Sequence, residues 1–512
     1  IRQKLIQQGF SFNSQSDTEV VIAAYAAWGK DSFEMLEGMF AFAIHDHELN
    51  SVILVRDPSG IKPLYYSFDN DSLIFASEVK AIHAVSTHLK EEKNWQILLM
   101  AFGHLPEPFT QYEKVNSLAK GNFLTYQLDT NEIKSEKYFR YTFNEASTSF
   151  SDPVNWVKST IEKAVNNQLL ADVPVGVFLS GGIDSSILSL LAGKAKGNDL
   201  HALSICFDEQ HYSEERYQNL VYEKLTGAKH KFLLQKEEFQ KHLPTVLDDM
   251  DVPSADGINT WFICKFTKEK GIKGVLSGIG ADELFGGYPS FERMKKVELL
   301  KKMPNWLKSS TSLLPGKMAN RISYLKLEEP VGTYLFLRGH FGIKEIASHL
   351  DSYEVEIRDI LNGLCHEVVP DFSNQKSKAG WYEYNMYMQN QLLRDADAMS
   401  MAHGVEIRVP FLDHQLVKGV LSMPENQRFK EGIPKQLLVD AFKEILPEHI
   451  WNRKKMGFSF PFSEWLKNNE MVNDLMNKTN QPNKNHIQDF ESGKMSWSCF
   501  LILMLLRKNG KI

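Results

Sequence analysis

The chain has 512 residues, more than one ordinary domain holds and enough for two to four. Its 43% hydrophobic and 24% charged residues are those of a soluble globular protein, and a formal net charge of −6 leaves no basic footprint for nucleic acid or an anionic membrane. Its four cysteines, Cys206, Cys264, Cys365 and Cys499, form no CxxC pair, which argues against a disulfide framework or a zinc site and fits a cytoplasmic protein.

After an opening helix, the first ~140 residues read mainly as short β-strands. Met39–His45 alternates through Phe40, Phe42 and Ile44, and Ser51–Val55, Leu64–Ser67 and Leu73–Ala76 follow. Turn material separates them at Glu48-Leu49-Asn50, Asp57-Pro58-Ser59-Gly60 and Asp69-Asn70-Asp71. Short strands at this spacing predict antiparallel sheets packed face to face. The polar stretch Asn144–Pro153 marks a boundary and divides the chain into residues 1–145 and 153–512.

Beyond the boundary, strands and helices alternate. Val173–Leu179 suits a strand covered on both faces, and a Gly-rich turn and a helix from about Ser185 follow it. His201–Phe207, Lys229–Leu233 and Lys273–Leu276 continue the strands, predicting a parallel doubly wound sheet. From Phe291 onward the periodicity is mostly helical. The apolar run Cys499–Leu506 is far shorter than the ~20 residues of a membrane span and predicts a buried terminal helix.

Leu179-Ser180-Gly181-Gly182-Ile183-Asp184-Ser185-Ser186 lies between a predicted strand and a predicted helix. Such a turn offers backbone N–H groups and a positive helix end to an anion. Gly181 and Gly182 let phosphate approach the backbone, and Ser180, Ser185 and Ser186 can donate hydroxyl hydrogen bonds. Asp184 would repel phosphate unless Mg2+ stood between them. The loop is not of the GxxxxGKS/T type, since no lysine lies within it.

Ser180–Ser185 resembles the SGGxDS pyrophosphate loop of N-type ATP pyrophosphatases, which cleave ATP between its α and β phosphates and adenylate their substrate. Ser277-Gly278-Ile279-Gly280-Ala281-Asp282-Glu283-Leu284-Phe285-Gly286-Gly287-Tyr288 resembles the SGEGADELFGGY block of glutamine-dependent asparagine synthetases. The resemblance implies nucleotide contact by Ser277 and Gly278, magnesium binding by Asp282 with Asp184, and adenine near Leu179 and Ile205. Leu393–His403 with Glu406–Asp413 resembles the family's helical lobe over the active site, which makes Arg394 and Asp397 substrate-lobe residues. Asn452–Phe458 matches a fourth block, whose lysine, here Lys455, would stabilise charge on the α-phosphate. Alone, this cluster reads as a solvated basic helix end.

Ser16–Glu19, Gly38–Phe42 and Arg56–Tyr66 resemble the later part of the family's glutaminase domain. The implied architecture is α/β and α+β. A truncated N-terminal-nucleophile αββα glutaminase domain precedes a parallel-sheet ATP-pyrophosphatase domain with a helical C-terminal part. Asp17 falls where acidic glutamine-binding residues lie, and it suits equally an N-cap before a helix at Val20–Trp28. The family's glutaminase nucleophile is an N-terminal Cys, whereas this chain opens Ile1-Arg2-Gln3 and its first cysteine is Cys206. The chain as given is therefore expected not to hydrolyse glutamine, and the sequence reads as lacking that segment.

Ile279 stands where the family has Glu, so the acceptor is either aspartate with a tolerated variant or another carboxylate, such as one on a sugar. The expected reaction is ATP-dependent amidation through an acyl-adenylate, with nitrogen from glutamine or ammonia and Mg2+ as cofactor. Partners are expected to be small molecules, with no nucleic acid and no membrane; homodimer formation is left open. The alternatives are a β-lactam-synthetase-like cyclising ligase and a nucleotide-binding module without turnover.

Overall fold

The computed structural model describes residues 1–69, 71–86, 88–143, 150–301, 304, 317–364, 368–372, 374–454, 456–457, 459–477 and 486–512. Most of the expected boundary, residues 144–149, lies outside them, as does Lys455.

Seven strands in the first part form two antiparallel sheets. β1 (Ala41–Asp46), β2 (Ser51–Arg56), β6 (Asn122–Gln127) and β7 (Ile133–Lys137) make one, in the order β1-β2-β6-β7. β3 (Tyr65–Asp69), β4 (Ser72–Ala76) and β5 (Val115–Ser117) make the other, in the order β4-β3-β5. Leu54, Leu64, Leu118 and Leu124 are buried between the sheets, with Tyr66 and Phe68 packed against them. The other face of the larger sheet carries Ile53, Val55 and Phe123 against Phe33 and Tyr25, from the helix-and-turn layer 17–35. These are the expected face-to-face sheets.

Two local expectations change. The second helix starts at Asp17, not Val20, because the Ser16 hydroxyl accepts from Thr18 N and the Glu19 carboxylate reaches back to the backbone N–H groups of Asn13 and Ser14. Asp17 is therefore an exposed first-turn residue and not the cap. Trp95–Phe102, in the part read as mainly β, is a helix with every residue but Gln96 buried. It joins a core shared with the helices Val331–Arg338 and Trp497–Lys508, and that long-range burial leaves no local periodic signal.

The second part holds a parallel sheet of β8 (Val175–Phe178), β9 (His201–Cys206), β10 (Ala228–Leu233), β11 (Gly274–Leu276) and β12 (Glu406–Arg408), in the order β10-β9-β8-β11-β12. Every pair is parallel, as the alternating pattern predicts. β12 was not expected: Glu406–Arg408 falls in the block read as a helical lobe, and the structure makes it an edge strand. Three residues are too few to show a period of two. Cys499–Leu506 lies in the predicted buried terminal helix, Trp497–Lys508, and among the described residues no helix is long and apolar enough to cross a membrane.

The chain runs outward from β8 to β9 and β10 on one side, and from β11 to β12 on the other. β8 and β11 therefore flank a topological switch point, where the loops leaving the strand ends part and open a crevice.

Candidate active site

Both Gly-rich blocks lie at that crevice. Leu179–Gly182 leaves β8 and enters the helix Ile183–Lys196, while Ser277–Gly280 leaves β11 and enters the helix Ala281–Phe285. A β-carbon at Gly278 would come 3.0 Å from Asp184 Cβ, so the two loops touch. Gly181 has φ +86° and a β-carbon there would meet Tyr217, which explains why this turn needs glycine.

The Ser180 and Ser185 hydroxyls lie 3.0 Å apart, Ser185 Oγ accepts from Ser180 N at 3.2 Å, and Ser180 Oγ accepts from Gly182 N at 3.4 Å. These bonds hold the turn in a cradle shape. Ser186 is fully buried, so of the three predicted hydroxyls Ser180 is the most accessible. Leu179 and Ile205 are buried at the ends of neighbouring strands, and Ser277 N donates to Arg408 O at 2.8 Å.

Asp184 and Asp282, one from each block, converge on one cation: Lys435 Nζ lies 2.5 Å from Asp184 Oδ2 and 2.6 Å from Asp282 Oδ1. Lys435 is buried and holds a left-handed backbone conformation, φ +62°, the strain that non-glycine residues carry mainly at functional positions. Burial pulls its ammonium pKa down, but the two carboxylates more than offset this and hold it above the usual lysine value. Lys435 was not among the sequence candidates. Gly432-Ile433-Pro434 announces a turn, but nothing local shows that the next residue meets two distant aspartates.

A second cation braces the cradle from outside. Arg453 Nη2 donates to Gly181 O at 3.1 Å and to Glu214 Oε1 at 2.8 Å, with its guanidinium 3.7 Å above the Tyr217 ring. The solvated-cluster reading therefore fails for Arg453, whose side chain is 13% exposed. Behind Asp282, burial and then the Asp282 charge raise the Glu283 carboxyl to about 7, and Tyr288 donates to it at 2.9 Å. Arg428 donates to Leu284 O at 2.6 Å and fixes that helix end.

Arg394 and Asp397 do not join the carboxylate pair. Arg394 donates to Leu105 O at 3.0 Å, and Asp397 accepts from Lys62 at 3.0 Å, so both bond to the first part of the chain. Asp57 organises the turn that presents Lys62, accepting from the backbone N–H groups of Ser59, Ile61 and Lys62. The Ser59 and Tyr384 hydroxyls lie 2.9 Å apart across the same interface. Ile279 is half-buried against the hydrophobic core around the sheet. Cys206 is buried and its thiol is pushed up to about 11, which makes it a poor nucleophile.

Among the described residues no three His, Cys, Asp or Glu side chains form a metal cluster. Asp184 and Asp282 nevertheless supply two hard oxygen ligands at one point, the number Mg2+ takes from protein when phosphates complete its shell.

A doubly wound parallel sheet with a hydroxyl-lined Gly loop and an acid pair at its switch point defines a nucleotide-site enzyme class. Comparison with known proteins narrows it. The Asparagine synthase family matches residues 157–491, and the glutamine amidotransferase domain family matches residues 1–139. The glutamine-hydrolyzing asparagine synthetase 1 of Bacillus subtilis strain 168 is 32% identical over 496 residues, covering 94% of this chain and 77% of its own. Asparagine synthetase 3 of the same strain is 29% identical, covering 91% and 76%. The chain belongs to the asparagine synthase family of carbon–nitrogen ligases.

Proposed function

We propose that the chain amidates a carboxylate at the expense of ATP, through an acyl-adenylate, releasing AMP and pyrophosphate. Family membership points to aspartate as acceptor and asparagine as product, with nitrogen from glutamine or free ammonia. The observation that carries this reading is the convergence of Asp184, Asp282 and Lys435 beside the Ser180–Gly182 cradle.

In this reading Ser180 and the loop backbone bind the phosphates that leave as pyrophosphate. Lys435 holds both aspartates aimed at one point, and Arg453 holds the cradle by its Gly181 carbonyl. Mg2+ held by Asp184 and Asp282 would neutralise charge on the departing pyrophosphate. Lys455, two residues beyond Arg453 in sequence, is assigned to the α-phosphate. We place the protein in the cytoplasm, where the free thiols of Cys206, Cys264 and Cys499 stay reduced.

The test is pyrophosphate release with Mg·ATP and ammonium, with and without aspartate, and products identified by mass spectrometry. Aspartate-dependent pyrophosphate together with asparagine is expected. Nucleotide binding without pyrophosphate across a panel of carboxylates would sink the reading in favour of a binding module. Because Ile279 can neither accept a proton nor pair with ammonium, the second reading is a carboxylate other than aspartate as the acceptor.

A further inference from the structure

The short helix Ala281–Phe285 ends in a turn that closes back on Asp282. Gly286 N and Gly287 N both donate to Asp282 O at 3.0 Å, and a β-carbon at Gly287 would overlap the Asp282 carboxylate. The turn therefore packs directly on the group that faces Lys435. Tyr288, the next residue, ties the turn down. Its hydroxyl donates to Glu283 Oε1 at 2.9 Å, a bond that joins the two ends of the segment 283–288.

The Tyr288 ring is held from two distant parts of the chain. The guanidinium of Arg338, the last residue of the helix Val331–Arg338, lies 4.4 Å over the Tyr288 ring and 3.3 Å over that of Tyr387. The two rings meet edge-on, 5.7 Å apart at 88°. Glu383 fixes Arg338 in turn: Arg338 Nε donates to Glu383 Oε2 at 2.7 Å, and Nη2 lies 2.5 Å from the same oxygen. The Glu383 side chain is 1% exposed and opens the π-helix Glu383–Leu393, a form that recurs at functional sites.

As a source of stability alone, such a pair is weak, because the cost of desolvating both charges offsets their attraction. As a positioning device it has a specific lever. A planar guanidinium keeps its faces on two rings while its edge is held, and Glu383 holds that edge. Any shift of the Arg338 plane moves the Tyr288 ring, and with it the hydroxyl that closes the segment 283–288 around Asp282.

We propose that Glu383 and Arg338 are positioning residues which, through Tyr288, set the Asp282 carboxylate for the metal of Mg·ATP, an inference that rests on the reading of Asp184 and Asp282 as Mg2+ ligands. Groups that orient a metal ligand from behind change metal affinity by about 10–100-fold when they are removed.

The test reads metal coupling in place of turnover. Calorimetry measures binding of α,β-methylene-ATP, which cannot be split at the α–β bond, with and without Mg2+. The ratio of the two affinities reports what the metal adds, and a general loss of packing would weaken both and leave the ratio alone. Tyr288→Phe keeps the ring and removes only the hydroxyl; Glu383→Gln keeps an acceptor oxygen and removes the charge. Each is expected to lower the ratio about tenfold. The double variant should lower it no further than the stronger single one, because both act along one path. If Glu383→Gln does not fold, Glu383→Gln combined with Arg338→Met makes the pair neutral and takes its place. Wild-type ratios in folded variants, or effects that multiply in the double variant, would overturn the positioning path. Asp282→Asn calibrates the metal reading, and an unchanged ratio there overturns that reading and the inference with it. Pyrophosphate release with ammonium and aspartate is then measured on the wild type. Silence, with the ratios falling as expected, overturns the amidation reading and upholds the positioning pair.

Discussion

The Lys435 ammonium lies 2.6 Å from the Asp282 carboxylate, and the same nitrogen holds Asp184. Lys435 is 5% exposed, so these charges compensate one another largely out of water. Removing one partner of a buried pair costs about 3–5 kcal/mol, because the remaining charge is left uncompensated. Lys435→Met is expected to lower the thermal midpoint and to reduce pyrophosphate release by about 100-fold, the scale of losing one charge-stabilising group. Mg2+ should raise the variant's midpoint more than the wild type's, since it replaces the missing cation between the acids. Equal Mg2+ responses would show that the two aspartates are not a metal site.

Two glycines near this pair should behave oppositely. A β-carbon at Gly287 would overlap the Asp282 carboxylate and Lys435 Cε, so Gly287→Ala should lower both stability and activity. Gly182 has an ordinary φ of −80°, and a β-carbon there meets only Ser180 Oγ, at 3.5 Å. Gly182→Ala should therefore melt like wild type yet raise the KM for ATP, because the added methyl occupies the face offered to phosphate. An unchanged KM in a folded Gly182→Ala would place the phosphates elsewhere.

Arg453 is predicted to act through the cradle. Its planar guanidinium bonds Gly181 O and Glu214 while stacking on Tyr217, and lysine cannot reproduce that set. Arg453→Lys should lower kcat/KM for ATP about tenfold, which corresponds to about 1.4 kcal/mol. Guanidinium ion should partly rescue Arg453→Ala. A double-mutant cycle with Glu214→Gln should give a coupling of about 0.5–3 kcal/mol. Additive effects would show that the pair does not act as a unit.

The sequence made the cradle and the parallel sheet legible because their signals are local. Gly181 and Gly182 sit between a buried strand and a helix, and four strands alternate with helical stretches. Asp184 and Asp282 were legible as acids in Gly-rich turns, and the fold supplies the reason that they meet. Lys435 was not legible, because its partners lie far away in the chain and its own neighbourhood reads only as a turn. Arg453 was hidden in a basic cluster whose ordinary fate is solvent. Arg394 and Asp397 were assigned to a substrate lobe by resemblance, whereas their contacts run to Leu105 and Lys62, and only tertiary packing decides such a facing.

Asp395 provides a test by pH. Burial raises its carboxyl from 3.8 to about 7, opposed by the Arg394 charge and by the hydroxyl of Ser254. In the unfolded chain this group loses its proton near 3.8, so between that value and about 7 the folded protein holds more proton than the unfolded one. Stability contributed by this group therefore falls as pH rises through that window and is level above it. Asp395→Asn keeps the carbonyl acceptor for Ser254 but cannot ionise. Its thermal midpoint relative to wild type should rise from pH 5 to pH 8, with most of the change complete by about pH 7. A difference that stays constant across that range would mean that Asp395 is ionised throughout, with Arg394, 3.5 Å away, as its effective counter-charge.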